Sequence, residues 1–456
     1  MLLLEKVFKI INESGLDYCV QNKYEMMPEE IPSDIDMMYR GADEKFLDNL
    51  VAKIAKECDL LIVQKIVQGY YQFSYMLSYP CPSERFQLLL DFYGSITWKG
   101  IYQVMPAEDM IEGKRFYKCF YVPDNYVEQK YMWIRRTIKH DLDDEHIAIA
   151  KGLYEKNPKE SKNRLIADFG ENMTSLILKI QETGDKQIFY DNYDVFYKPI
   201  KVIADKNTTL AKRLDSYYFK AARAISQRLV NTCGMTVAFL SPDGGGKSTI
   251  IERIKDTCSG AFCGIQYIYT RPHLLKNPGS YNPVNPHGEG NGNPDPHGKK
   301  LHNPLKSWIR FLYYILDYIL GALFKIYPMK VMKKLVVYDR YYYDYLVDLQ
   351  RYQYNLPQWA PKIFRHLIPT PDIVFVLDGS PDVLYARKKE LTLEELNYQV
   401  AAYRNVAKLV KSSQLINVDN NVETVTADVT RAIILKKAQM VARQMNLNLD
   451  EKGFII

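Results

Sequence analysis

The stretch VAFLSPDGGGKSTI, residues 237–250, decides the fold that we predict for the C-terminal half of this chain. An apolar run leads into three consecutive glycines, after which Lys247, Ser248 and Thr249 open a helix. Glycine lets the backbone wrap closely enough for several N–H groups to point at one phosphate, and a helix N-terminus adds partial positive charge. The pattern therefore predicts a loop that binds the phosphates of a nucleotide. The expected binding residues are Gly244, Gly245, Gly246, Lys247, Ser248 and Thr249.

Two side chains of this loop have distinct expected tasks. Lys247 is placed to reach the β- and γ-phosphates, and the hydroxyl of Ser248 is placed to hold Mg²⁺. The strict pattern has glycine where Ser241 stands, and we treat this as a tolerable departure because strand, turn and helix follow in the expected order. ATP and Mg²⁺ are accordingly the predicted cofactors.

The rest of the C-terminal half alternates strand-like and helical segments. The runs MTVAFL (235–240), IQYIYT (265–270), KLVVYD (334–339) and DIVFVLD (372–378) are apolar and rich in β-formers, and each precedes a loop or helix. This alternation is typical of an α/β fold with a parallel sheet and crossover helices. Residues 277–304, rich in Pro, Gly and Asn, are expected to form a long loop.

From about residue 233 to 440, the order of motifs resembles thymidylate kinases and related nucleoside monophosphate kinases. The loop carries Asp243, three positions before its last glycine. Thr270-Arg271-Pro272 follows the second strand, Asp339-Arg340-Tyr341 follows the third, and Arg387-Lys388-Lys389 stands in the place of a basic lid. The resemblance implies an ATP- and Mg²⁺-dependent phosphotransferase, a small-molecule kinase.

The resemblance also implies roles for individual residues. Those expected in catalysis are Asp243, Lys247, Asp339, Arg340 and Arg387. Arg271 is expected to bind a phosphate, and Asp339 a magnesium-bound water. Arg271 and Arg340 both come at the carboxyl ends of predicted strands, where ligands of such sheets bind, so both could bind an acceptor phosphate or another anion. Two alternatives stay open: Arg340 could be a structural ion pair, and the basic lid a solvated helix face.

Departures from the kinase pattern concern the phosphoryl acceptor. Pro272 and His273 follow Arg271 where thymidylate kinases usually carry a Glu, and YYDYLVDLQRY follows Arg340 and Tyr341 in place of their small and polar pattern. We therefore expect a kinase with an altered acceptor site for a small molecule. The tyrosines at 341–343 either shape that site or pack in the core.

Three carboxylates mark the N-terminal segment. Asp34 and Asp36 alternate along a predicted strand, so both face the same side, and Asp91 ends the run FQLLLD (86–91). Such an arrangement can hold Mg²⁺ and a nucleoside triphosphate. It resembles the nucleotidyltransferase superfamily of the DNA polymerase β type, although residues 21–24 replace the usual Gly-Ser. Asp34, Asp36 and Asp91 are the expected metal ligands, while solvated acids at a strand edge would look the same.

These patterns predict three regions: a nucleotidyltransferase-like α+β domain at 1–125, a helical region at 126–232 and a thymidylate kinase-like P-loop domain at 233–456. This tandem resembles proteins of bacterial surface-polysaccharide biosynthesis, which would make the acceptor a sugar or sugar phosphate. Two other hypotheses stay open. The kinase-like half could bind nucleotide only to regulate a nucleotidyltransferase, or the protein could be a non-catalytic nucleotide-dependent sensor.

Composition restricts the partners and the setting. The net charge of +6 over 456 residues is too small to suggest extended nucleic-acid binding. Seven cysteines without zinc-ribbon spacing favour reduced thiols and a cytoplasmic location. Charged residues interrupt the apolar stretch 308–329, which we therefore interpret as a buried or homodimer-forming helix and not as an integral membrane span.

Overall fold

The computed structural model describes residues 2–69, 72–82, 86–229, 232–276, 300–389 and 391–455. The chain divides into two compact units. The first contains Met1–Leu77, Leu88–Ser226 and Phe454–Ile456, and the second contains Ser78–Gln87 and Gln227–Gly453. Most of the loop predicted at 277–304 lies outside the described residues, but Pro304 already begins a helix that Asn303 caps.

The first unit combines a mixed sheet and two small antiparallel sheets with helices. Its strands are β1 (Asp17–Gln21), β2 (Ile35–Arg40), β3 (Leu61–Gly69), β4 (Gln72–Ser78), β5 (Leu88–Tyr93), β6 (Ser95–Trp98), β7 (Tyr102–Pro106), β8 (Arg115–Tyr117) and β9 (Phe120–Val122). Its helices are α1 (Leu3–Glu13), α2 (Glu44–Glu57), α3 (Ala107–Ile111), α4 (Asn125–Lys139), α5 (Asp144–Glu155), α6 (Pro158–Thr183), α7 (Gln187–Asp191), α8 (Tyr193–Asn207) and α9 (Leu210–Leu229).

The main sheet of this unit has the order β1-β2-β5-β4-β3. Strand β1 runs antiparallel to β2, β2 runs parallel to β5, and β5 runs antiparallel to β4. Cys19 and Met38 are cross-strand partners, and both belong to the core cluster that α3 and α4 help to form. One face of the sheet is therefore covered by these helices, because cross-strand partners point to the same face.

The second unit contains a five-stranded parallel sheet. Its strands are β10 (Met235–Leu240), β11 (Ile265–Tyr269), β12 (Leu335–Asp339), β13 (Ile373–Asp378) and β14 (Ser413–Asn417). Its helices are α10 (Lys247–Thr257), α11 (Pro304–Gly321), α12 (Tyr327–Val331), α13 (Trp359–Phe364), α14 (Pro381–Arg387), α15 (Leu393–Leu409) and α16 (Val422–Met445). Short 3₁₀ turns occupy Ser259–Ala261, Tyr342–Leu346, Gln350–Tyr352 and Arg365–Leu367, and a π-helical turn, Ala322–Ile326, joins α11 to α12.

The order β11-β12-β10-β13-β14 is parallel throughout. Every residue of β10 and β12 is buried, as expected for central strands covered on both faces. The four strands predicted from the sequence are confirmed to within one residue at each end, and so is the parallel α/β fold of this half. The glycine-rich loop joins the central strand β10 to α10, so it lies at the carboxyl edge of the sheet.

The charges within the apolar stretch 308–329 have specific partners. Asp317 is fully buried and accepts hydrogen bonds from the backbone N–H groups of His273 and Leu275. Arg310 contacts His302, and Lys325 donates to the Pro272 carbonyl at 2.5 Å. Helix α11 thus anchors the segment after β11. No helix among the described residues has both the length and the apolar character needed to cross a bilayer.

Candidate functional site

The backbone of the loop after β10 requires its glycines. Gly244 and Gly246 have φ angles of +85° and +76°, in the left-handed region that other residues rarely adopt. A Cβ at Gly245 would lie 2.0 Å from the hydroxyl oxygen of Ser241. The serine hydroxyl therefore fills the space beside Gly245, which explains how the loop accepts Ser241 in place of the glycine of the strict pattern.

Gly245→Ala should distort the loop, because its methyl group would overlap the Ser241 hydroxyl. We expect its affinity for a fluorescent ATP analogue to fall at least tenfold in an equilibrium titration. Adding Ser241→Gly should restore most of the affinity by removing the overlapping atoms. Gly152→Ala, where no atom lies within 4 Å of the added Cβ, is the control and should bind as the wild type does. Equal loss in the single and double variants would contradict the overlap.

Lys247 begins α10 and folds back over the loop. Its Nζ donates to the carbonyl oxygens of Ser241 at 3.1 Å and Pro242 at 3.4 Å. Burial and the nearby Arg340 lower the pKa of Lys247 to about 8. Its neighbours Ser248 and Thr249 are exposed. The first turn of α10 thus presents one ammonium group, two hydroxyls and free backbone N–H groups at the sheet edge, a combination suited to a polyphosphate.

Asp243 is held by two arginines. Its Oδ1 accepts from Arg340 at 2.8 Å, and its Oδ2 accepts from Arg351 at 2.6 Å. Burial by itself would raise the pKa of Asp243, but the attraction of the two guanidinium groups holds it well below its usual range. Asp243 is therefore ionised, and it ties the loop to the segment that follows β12.

Arg340 is the centre of a buried ionic network. Its other guanidinium nitrogen donates to Asp344 at 2.8 Å, and Asp344 also accepts from the hydroxyls of Tyr352 and Tyr403. Arg340 is only 4% exposed and has a φ of +67°, so its conformation depends on these contacts. One of the two interpretations of Arg340 that the sequence leaves open is a structural ion pair. The contacts with Asp344 and Asp243 have the geometry of such a pair.

Asp339 ends β12 beside the loop and has one unsatisfied oxygen. Its Oδ2 accepts from the Tyr267 hydroxyl at 3.0 Å, while its buried Oδ1 has no hydrogen-bond partner within the described chain. A free carboxylate oxygen and the exposed hydroxyl of Ser248 are the oxygen donors that Mg²⁺ prefers, directly or through water. The side chains on this edge therefore fit a magnesium ion.

Arg271 contacts helix α11 and the segment that follows β11. Its guanidinium forms an ion pair with Asp317 of α11, donates to the Leu275 carbonyl at 3.1 Å and lies over the ring of Tyr314. Arg271 is 3% exposed and Asp317 is fully buried. These contacts connect Arg271 to helix α11 and to the segment after β11, and none of them involves the glycine-rich loop.

The basic lid lies at the end of a short helix. Arg387 is the last residue of α14 and donates to the Val418 carbonyl at 2.9 Å, whereas Lys388 continues in extended conformation. All three cations, with Lys389, are exposed. The Cβ atom of Lys388 would be 3.4 Å from a Cβ added at Gly244, so the start of this segment lies next to the loop.

Two members of the loop network were not identified from the sequence, Arg351 and Asp344. Both lie in the run YYDYLVDLQRY, which the sequence marks only as a departure from a known pattern. Arg351 is separated from Asp243 by 108 positions, and only the fold brings them together. The available signal was that both charged residues lie within a tyrosine-rich run, where a buried charge needs a partner.

A second candidate site lies on the sheet of the first unit. Asp36 and Asp91 are cross-strand partners on β2 and β5, and their carboxylate oxygens lie within 4.8 Å of each other and of Asp34. Burial, together with Asp34 and Asp91, raises the pKa of Asp36 to about 6, and burial raises that of Asp91. Asp36 and Asp91 each have one buried oxygen without a hydrogen-bond partner in the described residues.

Polar groups surround these three carboxylates. Gln21 pairs with Asp36 across the sheet, is 2% exposed, and its side-chain NH₂ group makes no hydrogen bond to any described residue. The Tyr93 hydroxyl donates to Asp91 at 3.3 Å. On α4, Tyr131 accepts from Asn22 next to Gln21, which places this helix beside the carboxylates.

The same helix carries two cations close enough to act electrostatically on these carboxylates. Arg135 and Lys139, one turn apart on α4, form no salt bridge or hydrogen bond within the part of the chain that the structure describes. Arg135 nevertheless acts electrostatically on Asp36, and Asp36 on Lys139. Acidic and basic groups thus face each other without direct contact.

Comparisons with known proteins add little to this geometry. No protein-family model matches the chain, and no curated protein matches it. Among solved structures, a similar chain is thymidylate kinase from Ehrlichia chaffeensis. It is 18% identical, the alignment covers 44% of this chain and 98% of that chain, and the TM-score is 0.29. With so low a score, the parallel sheet and its loop remain the basis for the fold.

Proposed function

We propose that the second unit is an ATP- and Mg²⁺-dependent phosphotransferase acting on a small molecule. The observation that carries this proposal is the loop between β10 and α10. Its glycines adopt conformations open to few other residues, Lys247 lies inside it, and the unsatisfied carboxylate oxygen of Asp339 lies at the same sheet edge. Together these groups supply positive charge for a polyphosphate and an oxygen ligand for its metal.

In this proposal each loop residue has one task. The backbone N–H groups and Lys247 bind the β- and γ-phosphates, and Lys247 exchanges its contacts with two carbonyls for contacts with phosphate oxygens. Ser248 and Asp339 hold Mg²⁺, which neutralises charge on the transferred group. Asp243 holds Arg340 and Arg351 against the loop. Arg387, Lys388 and Lys389 are the exposed cations that supply further positive charge.

The acceptor is proposed to be a sugar or a sugar phosphate, as in surface-polysaccharide biosynthesis. Arg271, which the kinase resemblance assigns to a phosphate, is already bound to Asp317 and to the Leu275 carbonyl. This occupancy favours an acceptor hydroxyl that is recognised without Arg271. Pro272 and His273, which differ from the kinase pattern, follow Arg271 in the same segment after β11.

A metabolite screen tests the phosphotransferase proposal. The full chain is incubated with ATP, Mg²⁺ and pools of sugars, sugar phosphates and nucleosides, and products are detected by mass spectrometry. We expect an ATP-dependent gain of about 80 Da, the mass of one phosphoryl group, in one class of acceptor. Equal yields from the wild type and Lys247→Ala would contradict the proposal.

A second candidate function, nucleotidyl transfer, concerns the first unit. The carboxylates of Asp34, Asp36 and Asp91 would bind divalent cations, and the unpaired cations Arg135 and Lys139 would bind the phosphates. The observation that favours it is the buried and unpartnered NH₂ group of Gln21 beside two unpartnered carboxylate oxygens. Buried polar groups normally have partners, so a cluster with an unsatisfied donor and two unsatisfied acceptors favours a bound ligand.

Asp36→Asn should weaken Mn²⁺ binding at the first unit at least tenfold, because it removes a charged ligand. The Mn²⁺ affinity is measured by isothermal titration of the full chain in a Ser248→Ala, Asp339→Asn background, which removes both proposed metal ligands of the other site. Asp59→Asn, an exposed acid in the same unit, is the matched control and should bind as its parent does. Unchanged Mn²⁺ affinity in Asp36→Asn would remove the support for this second function.

A further inference from the structure

Helix α9 turns its apolar side to solvent. Five large side chains of this helix are between 58% and 78% exposed, and we call them the α9 face: Leu210, Leu214, Tyr217, Tyr218 and Ile225. Successive members are four, three, one and seven residues apart, so they lie on one side of a helix with 3.6 residues per turn. The α9 face is therefore one apolar strip along the helix and not a set of scattered residues.

The polar side of α9 faces the body of the first unit. Lys212 donates from its Nζ to the side-chain oxygen of Gln103, on β7, at 3.0 Å. The guanidinium of Arg213 lies over the ring of Tyr102, on the same strand. A surface helix normally buries its apolar side and exposes its polar side, so the orientation of α9 is the reverse of the usual one. Packing of α9 within the first unit thus leaves its apolar side uncovered.

The part of the chain that contains the α9 face also carries the positive charge of the whole protein. Residues 198–228, from the middle of α8 almost to the end of α9, include eight lysines and arginines and two aspartates. The net charge of this segment is +6, equal to that of the complete chain, so the remaining residues together are neutral. Such a concentration of cations is attracted to an anionic surface.

We propose that α9 binds this protein peripherally to an anionic membrane, with the helix lying in the plane of the lipid headgroups and the α9 face inserted among them. An apolar strip on a basic helix is the combination that suits an interface, because hydrocarbon enters the acyl boundary while the cations stay near lipid phosphates. Tyr217 and Tyr218 fit this position, since each has an apolar ring to insert and a hydroxyl that can stay in the polar layer.

Two other occupants fit the α9 face less well. A second copy of α9 would bring two segments of net charge +6 together, and their repulsion opposes the pairing. A nucleic acid would be held by cations on its phosphates, and exposed leucine and isoleucine side chains contribute nothing to such contacts. An anionic lipid surface matches both the charge of the segment and the hydrocarbon of the face.

Cosedimentation of the full chain with lipid vesicles tests the proposal. We expect the wild type to bind vesicles of phosphatidylglycerol and phosphatidylcholine in equal parts, and to bind vesicles of phosphatidylcholine alone at least tenfold more weakly, because these lack net negative charge. Leu214→Glu combined with Tyr218→Glu should weaken binding to the anionic vesicles at least tenfold. Met26→Glu combined with Phe116→Glu is the matched control, which adds the same charges at side chains 59% and 60% exposed and should bind nearly as well as the wild type.

Lys220→Gln combined with Arg223→Gln tests the contribution of charge, because it removes two of the five cations of α9. We expect this pair to weaken binding to the anionic vesicles at least tenfold. Lys159→Gln combined with Lys162→Gln removes two exposed cations of α6 instead, and this control should bind nearly as well as the wild type. A melting curve followed by circular dichroism confirms for each variant that the fold is retained.

Three results would overturn the proposal. One is a wild type that stays in the supernatant with anionic vesicles, including one that binds a DNA duplex instead. Another is vesicle binding that the glutamate pair on α9 leaves intact, because the contact would then lie on a different surface. The third is self-association in sedimentation velocity that the same glutamate pair abolishes, which would assign the α9 face to a second copy of the chain.

Discussion

Lys247→Ala should lower the rate of ATP-dependent phosphoryl transfer by about two to three orders of magnitude, the loss typical when one preorganised donor to developing charge is removed. The lysine is the one ammonium group inside the glycine-rich loop, and its Nζ lies on the carbonyls of Ser241 and Pro242. Exchanging two neutral acceptors for phosphate oxygens strengthens its hydrogen bonds, because charge-assisted bonds are stronger than those to a carbonyl. Steady-state kinetics with the acceptor found in the metabolite screen give the measurement.

Lys255→Ala is the matched control for this prediction. Lys255 lies on the same helix α10, but its Nζ is paired with Glu252 at 2.6 Å on the surface. A surface ion pair contributes little to the stability of the fold, and Lys255 is not in the loop, so this variant should keep the wild-type rate. Equal activity in Lys247→Ala would assign any phosphoryl transfer to another part of the chain. Retained transfer together with loss of pyrophosphate release in Asp34→Ala, Asp36→Ala would separate the two candidate functions.

How much the sequence predicts depends on whether a signal is local. The loop could be predicted because strand, glycines, lysine and helix are consecutive, and the four strands because apolar runs with short connections are local patterns. Asp34 and Asp36 could be placed on one side of a strand for the same reason. That Asp91 pairs with Asp36 in register depends on strand pairing over 55 positions, which the sequence alone does not fix.

Partners of charged groups were the least predictable feature. Arg271 and Arg340 both follow strands that end at the ligand-binding edge, so position alone assigns both to phosphate. In the structure each forms an ion pair with a buried carboxylate, Asp317 from a helix 46 positions away and Asp344 from the next turn. Arg135 shows the reverse case, because nothing in the sequence distinguishes it from the other basic residues of α4. A buried charge requires a partner, but the sequence does not say which residue will be near.

Asp344→Asn should destabilise the second unit by about 3–5 kcal/mol, because removing one partner of a buried ion pair leaves the other charge uncompensated. Asp344 is 1% exposed and accepts from Arg340, Tyr352 and Tyr403, so an amide loses both the charge and part of this acceptor capacity. The loss reaches the loop, because Arg340 also holds Asp243. Urea unfolding of the full chain, followed by fluorescence in a Trp98→Phe, Trp133→Phe background, reports on the second unit through Trp308 and Trp359.

An exposed acid of the same unit supplies the control, and a double variant of the ion pair supplies the contrary test. Asp382→Asn changes an exposed acid on α14 of the same unit and should stay within about 0.5 kcal/mol of the parent. Arg340→Met combined with Asp344→Leu removes both charges of this pair, while Arg351 still pairs with Asp243. The double variant should therefore be less destabilising than Asp344→Asn alone, which leaves the buried charge of Arg340 without its Asp344 partner. A double variant at least as unstable as the single one would mean that packing around the tyrosines, and not the ion pair, determines the stability of this segment. In that case Arg340 would be free to act on a ligand, and the assignment of Arg340 to the structural network would have to be abandoned.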